Sequence, residues 1–307
     1  MEHRININEC AAALRKAAPE IDIAINEPMS RHTTFAIGGP ADLFVMPKTI
    51  AELTTALSVV REHELPLLVL GNGSNMLVSD DGVRGTVICT IGLDEVRVGE
   101  DCQVTAEAGA LLSRVARRAQ RAGLTGAEFS AGIPGSLGGA VFMNAGAYDG
   151  QMAGIVEKTE YLDGEGVRHV LEGEAHGFGY RRSAFRAHPE WTVLRSTLRL
   201  RPGDPTAIQL KMADLAQRRR DKQPLNYPSA GSTFKRPEGY FAGRLIEDAG
   251  LKGVSVGGAQ VSEKHAGFLI NRGGASCDDM LRLIELVQSR VREAFGVELE
   301  CEVRIIR

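Results

Sequence analysis

Apolar residues recur along the chain in two rhythms, one of three to four residues and one of two, and the switches between them predict a mixture of helices and strands. The longer rhythm predicts a helix over Asn8–Ala18, and another after Thr49-x-x-Glu52, a capping box followed by Leu53, Leu57 and Val60 on one face. It also predicts an arginine-rich helix over Leu111–Ala122. Asp204 caps a further helix whose first position is Pro205 and whose basic end, Arg218-Arg219-Arg220, suits a helix C-terminus. Tyr240–Ala249 forms a short helix closed by Gly250, and Ser276 with Asp279 opens the last one, striped by Leu281, Ile284, Val287 and Val291. The period of two predicts strands at Leu67–Leu70, which should be buried, and at Met76–Ser79, Gly85–Ile91, Val96–Gly99, Val104–Ala108 and Trp191–Leu200. Ile155–Leu162 and Val167–Val170 flank Asp163-Gly164-Glu165-Gly166 as a hairpin. An apolar strand is expected at Phe35–Ile37, then Gly267–Asn271, and finally Val297–Ile306, where Glu298, Glu300, Glu302 and Arg304 share one side as a solvated edge also would.

Two glycine-rich stretches interrupt this pattern. Gly126 to Ala147 holds six glycines and almost no charge. Gly132, Gly135, Gly138 and Gly139 permit positive φ and lack the Cβ that would keep a ligand away, while Pro134 fixes one turn. The loop runs into a short helix at Leu137–Met143 and so presents backbone donors to an anion such as a pyrophosphate. A tight turn between a strand and a buried helix would need only one or two glycines. Leu67–Leu70 feeds directly into the second stretch, Gly71-Asn72-Gly73-Ser74-Asn75. This is not the nicotinamide-dinucleotide fingerprint, because Met76 stands at the third glycine and a strand follows where a helix should start. No Gly-Lys-Ser/Thr ending exists, which excludes the nucleoside-triphosphate loop. Two cradles some sixty residues apart fit one long ligand with a central diphosphate, and a flavin dinucleotide is such a ligand. The candidate cofactor contacts are therefore Gly71, Asn72, Gly73, Ser74, Asn75, Gly132, Ile133, Pro134, Gly135, Ser136, Gly138 and Gly139.

Composition narrows the class. At 307 residues, 43% hydrophobic and 24% charged, the chain is an ordinary globular one with room for two or three domains. A net charge of -3 gives no electrostatic footprint for nucleic acid, and no basic amphipathic or long apolar segment points to a membrane. The first residues lack an apolar signal core, so the expected location is the cytoplasm. Cys10, Cys89, Cys102, Cys277 and Cys301 are odd in number and far apart, which suits reduced structural thiols. Arg181 lies in a crowded aromatic and basic segment, Phe178 to Phe185. Lys222 to Pro237 holds three prolines, a Gly-Ser-Thr turn and the cations Lys222, Lys235 and Arg236, which make it a polar pocket wall. No Gly-x-Ser-x-Gly elbow surrounds its serines.

Taken together the motifs resemble one family, the UDP-N-acetylenolpyruvoylglucosamine reductases. The resemblance covers nearly the whole chain. It rests on the two glycine stretches, Met143-Asn144-Ala145-Gly146-Ala147-Tyr148, Tyr180-Arg181-x-Ser183-x-Phe185, Pro228-Ser229-Ala230-Gly231-Ser232-x-Phe234-Lys235-Arg236-Pro237 and Glu302-Val303-Arg304-Ile305-Ile306. Residues 249–268 look like the shorter subtype without an extra tyrosine-bearing loop, and Cys301 stands where the family often has proline. The resemblance implies an α+β chain: a two-lobed FAD-binding fold of the vanillyl-alcohol-oxidase and p-cresol-methylhydroxylase type, with lobes at 1–85 and 86–203, plus a smaller substrate-binding domain at 204–307. It implies non-covalent FAD, NADPH as reductant, a UDP-sugar enolpyruvate as substrate, and a monomer. Arg181 would hold the substrate carboxylate, Ser232 would donate the proton, supported by Lys235 or a water chain, and Glu302 would act protonated or paired with an arginine. Tyr180, Lys222, Lys235 and Arg236 are the expected substrate contacts. Two other readings remain open: an oxidase or dehydrogenase of the same flavin fold, and a non-catalytic sugar-nucleotide sensor. An oxidase often attaches its flavin through histidine or cysteine, and neither cradle contains one.

Overall fold

The structure is a computed structural model that describes residues 2–307. Contacts group the chain into two compact units, one of Met1–Ile25, Leu43–Asn72 and Gly85–Gln217, the other of Asn26–Asp42, Gly73–Arg84 and Arg218–Arg307. The first unit has two apolar cores. One gathers Leu14, Leu43, Leu53, Ile88 and Leu93 with helices Glu2–Ala17 and Ile50–Glu62. The other is built on a five-stranded antiparallel sheet in the order Arg168–Glu172, Val156–Leu162, Thr192–Arg199, Gln103–Glu107, Val96–Val98. Helices Leu112–Arg121 and Leu137–Met143 contribute Leu112, Val115, Leu137 and Val141 to it. In the second unit, Met280, Leu283, Val287 and Val291 of helix Cys277–Phe295 share one core with the three-stranded sheet Ser255–Val256, Ala259–Val261, Leu269–Asn271 and with Phe35, Ile37 and Leu77.

Where local chemistry is strong the elements fall where the sequence places them. Asp163 Oδ1 accepts from the N–H groups of Glu165 and Val167, both at 2.9 Å, and sets the hairpin that pairs Leu162 with Arg168. Asp204 accepts from Thr206 and Ala207 and starts helix Pro205–Lys222. Ser276 and Asp279 form a complete capping box, and Gly296 closes that helix at φ 67°. At Thr49 the box is incomplete, because Glu52 Oε2 accepts from the Lys48 N–H at 2.6 Å, one residue before the cap.

Four expectations are corrected. The first helix starts at Glu2, six residues earlier than its polar start suggested. Leu67–Leu70 is a strand but an edge one, parallel to Thr86–Cys89, so Leu67 is 43% exposed while Leu70 is buried. Phe35–Ile37 is a loop: Thr33 Oγ1 bonds both the carbonyl and the N–H of Ile37, and Ala36 sits at φ 54°. The C-terminal segment is not one strand. Lys235 N–H bonds the Glu300 carbonyl and Glu302 N–H the Thr233 carbonyl, after which Arg304–Ile306 pairs in parallel with Met76–Val78. Residues 201–203 are tied down, since Arg201 and Pro202 pair with Thr125 and Leu124, and Gly203 N–H bonds the Gly123 carbonyl.

One buried network beneath the five-stranded sheet makes stability depend on pH. His176 is fully buried and stacked on Phe178; its Nδ1 donates to the Gly173 carbonyl, and its Nε2 meets Thr159 Oγ1, which in turn meets Ser196 Oγ. Burial lowers the His176 pKa, because the charged form loses its solvation. The folded protein therefore binds fewer protons here than the unfolded chain. This contribution is complete above the unfolded histidine value of about 6.5 and is lost as pH falls below it. Between pH 7 and 5 the urea midpoint of the wild-type protein should fall further than that of His176→Gln; equal slopes would remove His176 as the cause.

Candidate active site

The two glycine stretches meet in the first unit. Asn72 Nδ2 donates to the Pro134 carbonyl at 2.6 Å, and a Cβ on Gly71 would stand 2.3 Å from Ser136 Oγ. The loop lies along Ala108–Leu112, with the N–H groups of Leu112, Leu137 and Gly138 bonding the carbonyls of Gly135, Ala110 and Ala108. Two of the donors expected to face an anion, those of Leu137 and Gly138, are thus already used. The glycines also act differently from expectation: none of Gly132, Gly135, Gly138 and Gly139 takes a positive φ. What matters is the missing Cβ, which on Gly138 would stand 3.0 Å from the Ala108 Cβ. Ser136 Oγ is buried and has no hydrogen-bond partner among the described residues. An unmet buried hydroxyl costs about 1–3 kcal/mol, so a ligand oxygen accepting there would be stabilising. The stretch thus fits a dinucleotide diphosphate.

Gly73, Ser74 and Asn75 belong to the second unit. Gly73 is at φ 56°, and a Cβ there would lie 1.9 Å from the His32 carbonyl oxygen, while its own carbonyl accepts from Thr34 N–H. Ser232 and Glu302 come together in the same unit through Thr233. Thr233 is fully buried; its N–H bonds Gly267 O, its Oγ1 accepts from Leu269 N–H, and its carbonyl accepts from Glu302 N–H at 2.8 Å. Asn75 Nδ2 donates to the Glu302 carbonyl, and Arg304 N–H returns to the Asn75 carbonyl. A cofactor candidate, Asn75, and a catalytic candidate, Glu302, are therefore hydrogen-bonded to each other, and Thr233 ties Glu302 to the residue that follows Ser232. Ser232 is itself exposed, and among the described residues its hydroxyl makes no hydrogen bond.

Arg181 is in the first unit, half-buried at the tip of a two-residue turn. Gly179 and Arg182 bond each other reciprocally at 3.0 and 3.1 Å, and Arg181 takes φ 52°. A non-glycine residue in that region costs about 1 kcal/mol or more and persists only when its surroundings hold it. Tyr180 is 58% exposed beside the guanidinium, 5.2 Å from ring centre to Cζ.

The remaining substrate candidates lie in the second unit. Lys235 pairs with Glu300. Arg236 stacks on Phe241, with Cζ 3.9 Å from the ring centre. Lys222 is an exposed residue at the end of helix Pro205–Lys222. Sequence reasoning left Asn144 without a role. It is buried, ends helix Leu137–Met143 in the left-handed region, and bonds the Gly179 carbonyl below Arg181. The available signal was an asparagine at a helix end where glycine is the usual residue.

A family profile described as UDP-N-acetylenolpyruvoylglucosamine reductase, C-terminal domain, matches residues 223–306, and one described as FAD binding domain matches residues 41–171. The UDP-N-acetylenolpyruvoylglucosamine reductase of Caldanaerobacter subterraneus subsp. tengcongensis is 51% identical over 293 residues, covering 95% of this chain and 96% of its own. The crystal structure of the Thermus caldophilus enzyme UDP-N-acetylenolpyruvylglucosamine reductase matches at a TM-score of 0.79 and 37% identity, over 94% of this chain and 99% of that one. Wild-type Physcomitrella patens BBE-like 1 matches in fold alone, at a TM-score of 0.51 and 15% identity over 64% of this chain and 44% of its own.

Proposed function

The chain belongs to the UDP-N-acetylenolpyruvoylglucosamine reductase family, and from that premise we propose that Arg181, Ser232 and Glu302 carry out the reduction of UDP-N-acetylglucosamine enolpyruvate to UDP-N-acetylmuramate. The protein is an FAD-containing oxidoreductase with the two-lobed FAD-binding fold of the vanillyl-alcohol-oxidase type and a smaller α+β domain. The observation that carries the proposal is the cluster in which Thr233 joins the Ser232 loop to Glu302, and Asn75 of the Gly71–Asn75 stretch holds the Glu302 carbonyl.

The substrate is an enol ether whose reduction places a hydride on the terminal methylene carbon and a proton on the carbon bearing the carboxylate. FAD, when bound, supplies that hydride after accepting it from NADPH. Gly71, Asn72 and Gly132–Gly139 of the first unit would hold the cofactor, and the orphaned Ser136 hydroxyl would give it one bond; Gly73, Ser74 and Asn75 are proposed cofactor contacts as well. Negative charge gathers on the substrate carboxylate as the hydride arrives. Arg181 holds that carboxylate through a rigid fork of donors whose attraction grows with the charge. Ser232 Oγ delivers the proton and acts as a positioned acid. Glu302 carries a proton or shares a cation when it acts, since a bare carboxylate would repel the developing dianion. Tyr180, Lys222, Lys235 and Arg236 are proposed substrate contacts.

The division of labour is proposed as 1–85 and 86–203 for FAD and 204–307 for the substrate. Three apolar cores support it in outline; Phe35, Ile37 and Leu77 pack in the third, Ile88, Leu93, Leu162 and Leu194 pack in the first, and residues 204–217 group with the first unit. NADPH should bleach the anaerobic yellow protein, and UDP-N-acetylglucosamine enolpyruvate, but not UDP-N-acetylglucosamine, should restore its absorbance. Restoration by oxygen alone would favour the oxidase reading.

A further inference from the structure

We propose that Asn144 is a positioning residue that aims Arg181 at the substrate carboxylate; the proposal rests on the role given to Arg181 above. Asn144 ends helix Leu137–Met143 at φ 44°, ψ 55°. Glycine takes that conformation at no steric cost, so ending the helix does not explain an asparagine. The side chain does, because its bonding groups are all engaged while the residue is 2% exposed. Nδ2 donates to the Gly179 carbonyl at 2.9 Å and to Gln151 Oε1 at 3.2 Å, and Oδ1 accepts from Ala153 N–H at 2.9 Å.

Gly179 O is also the oxygen that accepts from Arg182 N–H to close the turn, so Asn144 fixes the atom on which the turn closes. Two further bonds brace the same segment: Ser183 Oγ donates to the Phe142 carbonyl at 2.7 Å, and Arg186 Nη1 donates to the Arg181 carbonyl at 2.8 Å. Residues 142 and 144 belong to, or directly follow, the helix after the glycine loop. Arg181 holds a backbone conformation that arginine seldom adopts, and without the Gly179 anchor the turn is free to relax away from it. A displacement of about 1 Å at a group that orients substrate can cost on the order of a hundredfold in rate.

The test is a double-mutant cycle read in separate half-reactions. Asn144→Gly keeps the left-handed helix end and deletes the amide. Flavin content and NADPH bleaching should stay within about twofold of wild type, while return of absorbance on adding substrate slows about 10- to 100-fold. Asn144→Asp, which keeps the acceptor for Ala153 N–H but has no donor for Gly179 O, should show the same split. In an Arg181→Ala background, Asn144→Gly should cost nothing further, because a residue that acts through Arg181 has nothing left to position. Effects that multiply, an Asn144→Gly protein that reoxidises normally, or variants that both lose flavin or unfold at the assay temperature would overturn the proposal. If Arg181→Ala alone reoxidises normally, it is the role of Arg181 that fails, and the Asn144 proposal falls with it for that distinct reason.

Discussion

Ser232→Ala is expected to bleach with NADPH at close to the wild-type rate and then to regain its absorbance with substrate about a hundred- to ten-thousand-fold more slowly, the range typical of a positioned proton donor. The structure explains why only the second step should suffer. The loop around Ser232 is fastened by its neighbour: Thr233 contributes its N–H, its hydroxyl and its carbonyl to bonds with Gly267, Leu269 and Glu302, while the Ser232 side chain is exposed. Deleting one exposed hydroxyl leaves those bonds in place, so the fold and flavin content should not change. Ser232→Cys restores a transferable proton and should recover part of the rate. Ser229→Ala, three residues earlier in the same loop, is the matched control and should behave as wild type. Thr233→Val supplies the contrast, because it removes a buried hydroxyl bond and should lower the melting temperature. If Ser229→Ala blocks reoxidation and Ser232→Ala does not, the acid has been misassigned; equal loss in both half-reactions would make Ser232 a loop-holding residue.

Much of this fold is legible in the sequence where a cap or turn residue fixes the geometry locally. Asp163, Asp204, Ser276 and Asp279 each bond backbone N–H groups within four residues, and the elements they start or close match the structure closely. Legibility fails where burial comes from distant chain. Phe35 and Ile37 alternate like a strand because both enter the core of the second unit, yet Thr33 and the left-handed Ala36 bend the backbone into a loop. Leu299 and Val303 likewise keep a period of two while the backbone changes partner, from residues 233–235 to Met76–Val78. A periodicity records which side chains are buried, not which strand accepts the hydrogen bonds. The candidate residues were legible as chemistry, whereas the hydrogen bonds linking Asn75, Thr233 and Glu302 join residues more than sixty positions apart and left no local signal.

Gly71→Val and Gly73→Val should each purify without flavin, for different physical reasons. At Gly73 the obstruction is the protein itself: a Cβ would lie 1.9 Å from the His32 carbonyl oxygen at φ 56°, so the loop must move and stability should fall along with flavin content. At Gly71 the first atom met is a side-chain hydroxyl, Ser136 Oγ at 2.3 Å, with Ser136 Cβ at an ordinary 3.5 Å. The double variant Gly71→Ala/Ser136→Ala therefore has room for the new methyl group and should fold as well as wild type. If the Ser136 hydroxyl bonds the cofactor, that double variant stays weak in flavin even though the collision has gone. Ser136→Ala alone separates the two effects without any turnover assay. Removing an unmet buried hydroxyl should leave the flavin-free protein as stable as wild type or more so, by up to about 1–3 kcal/mol, while weakening flavin binding roughly tenfold through the lost bond. Thermal melts of the stripped protein and flavin titration by fluorescence quenching measure both quantities. A stripped Ser136→Ala protein that melts lower but binds flavin normally would mean that the hydroxyl serves the fold, and a fully yellow Gly71→Val protein would end the assignment of that stretch to the cofactor.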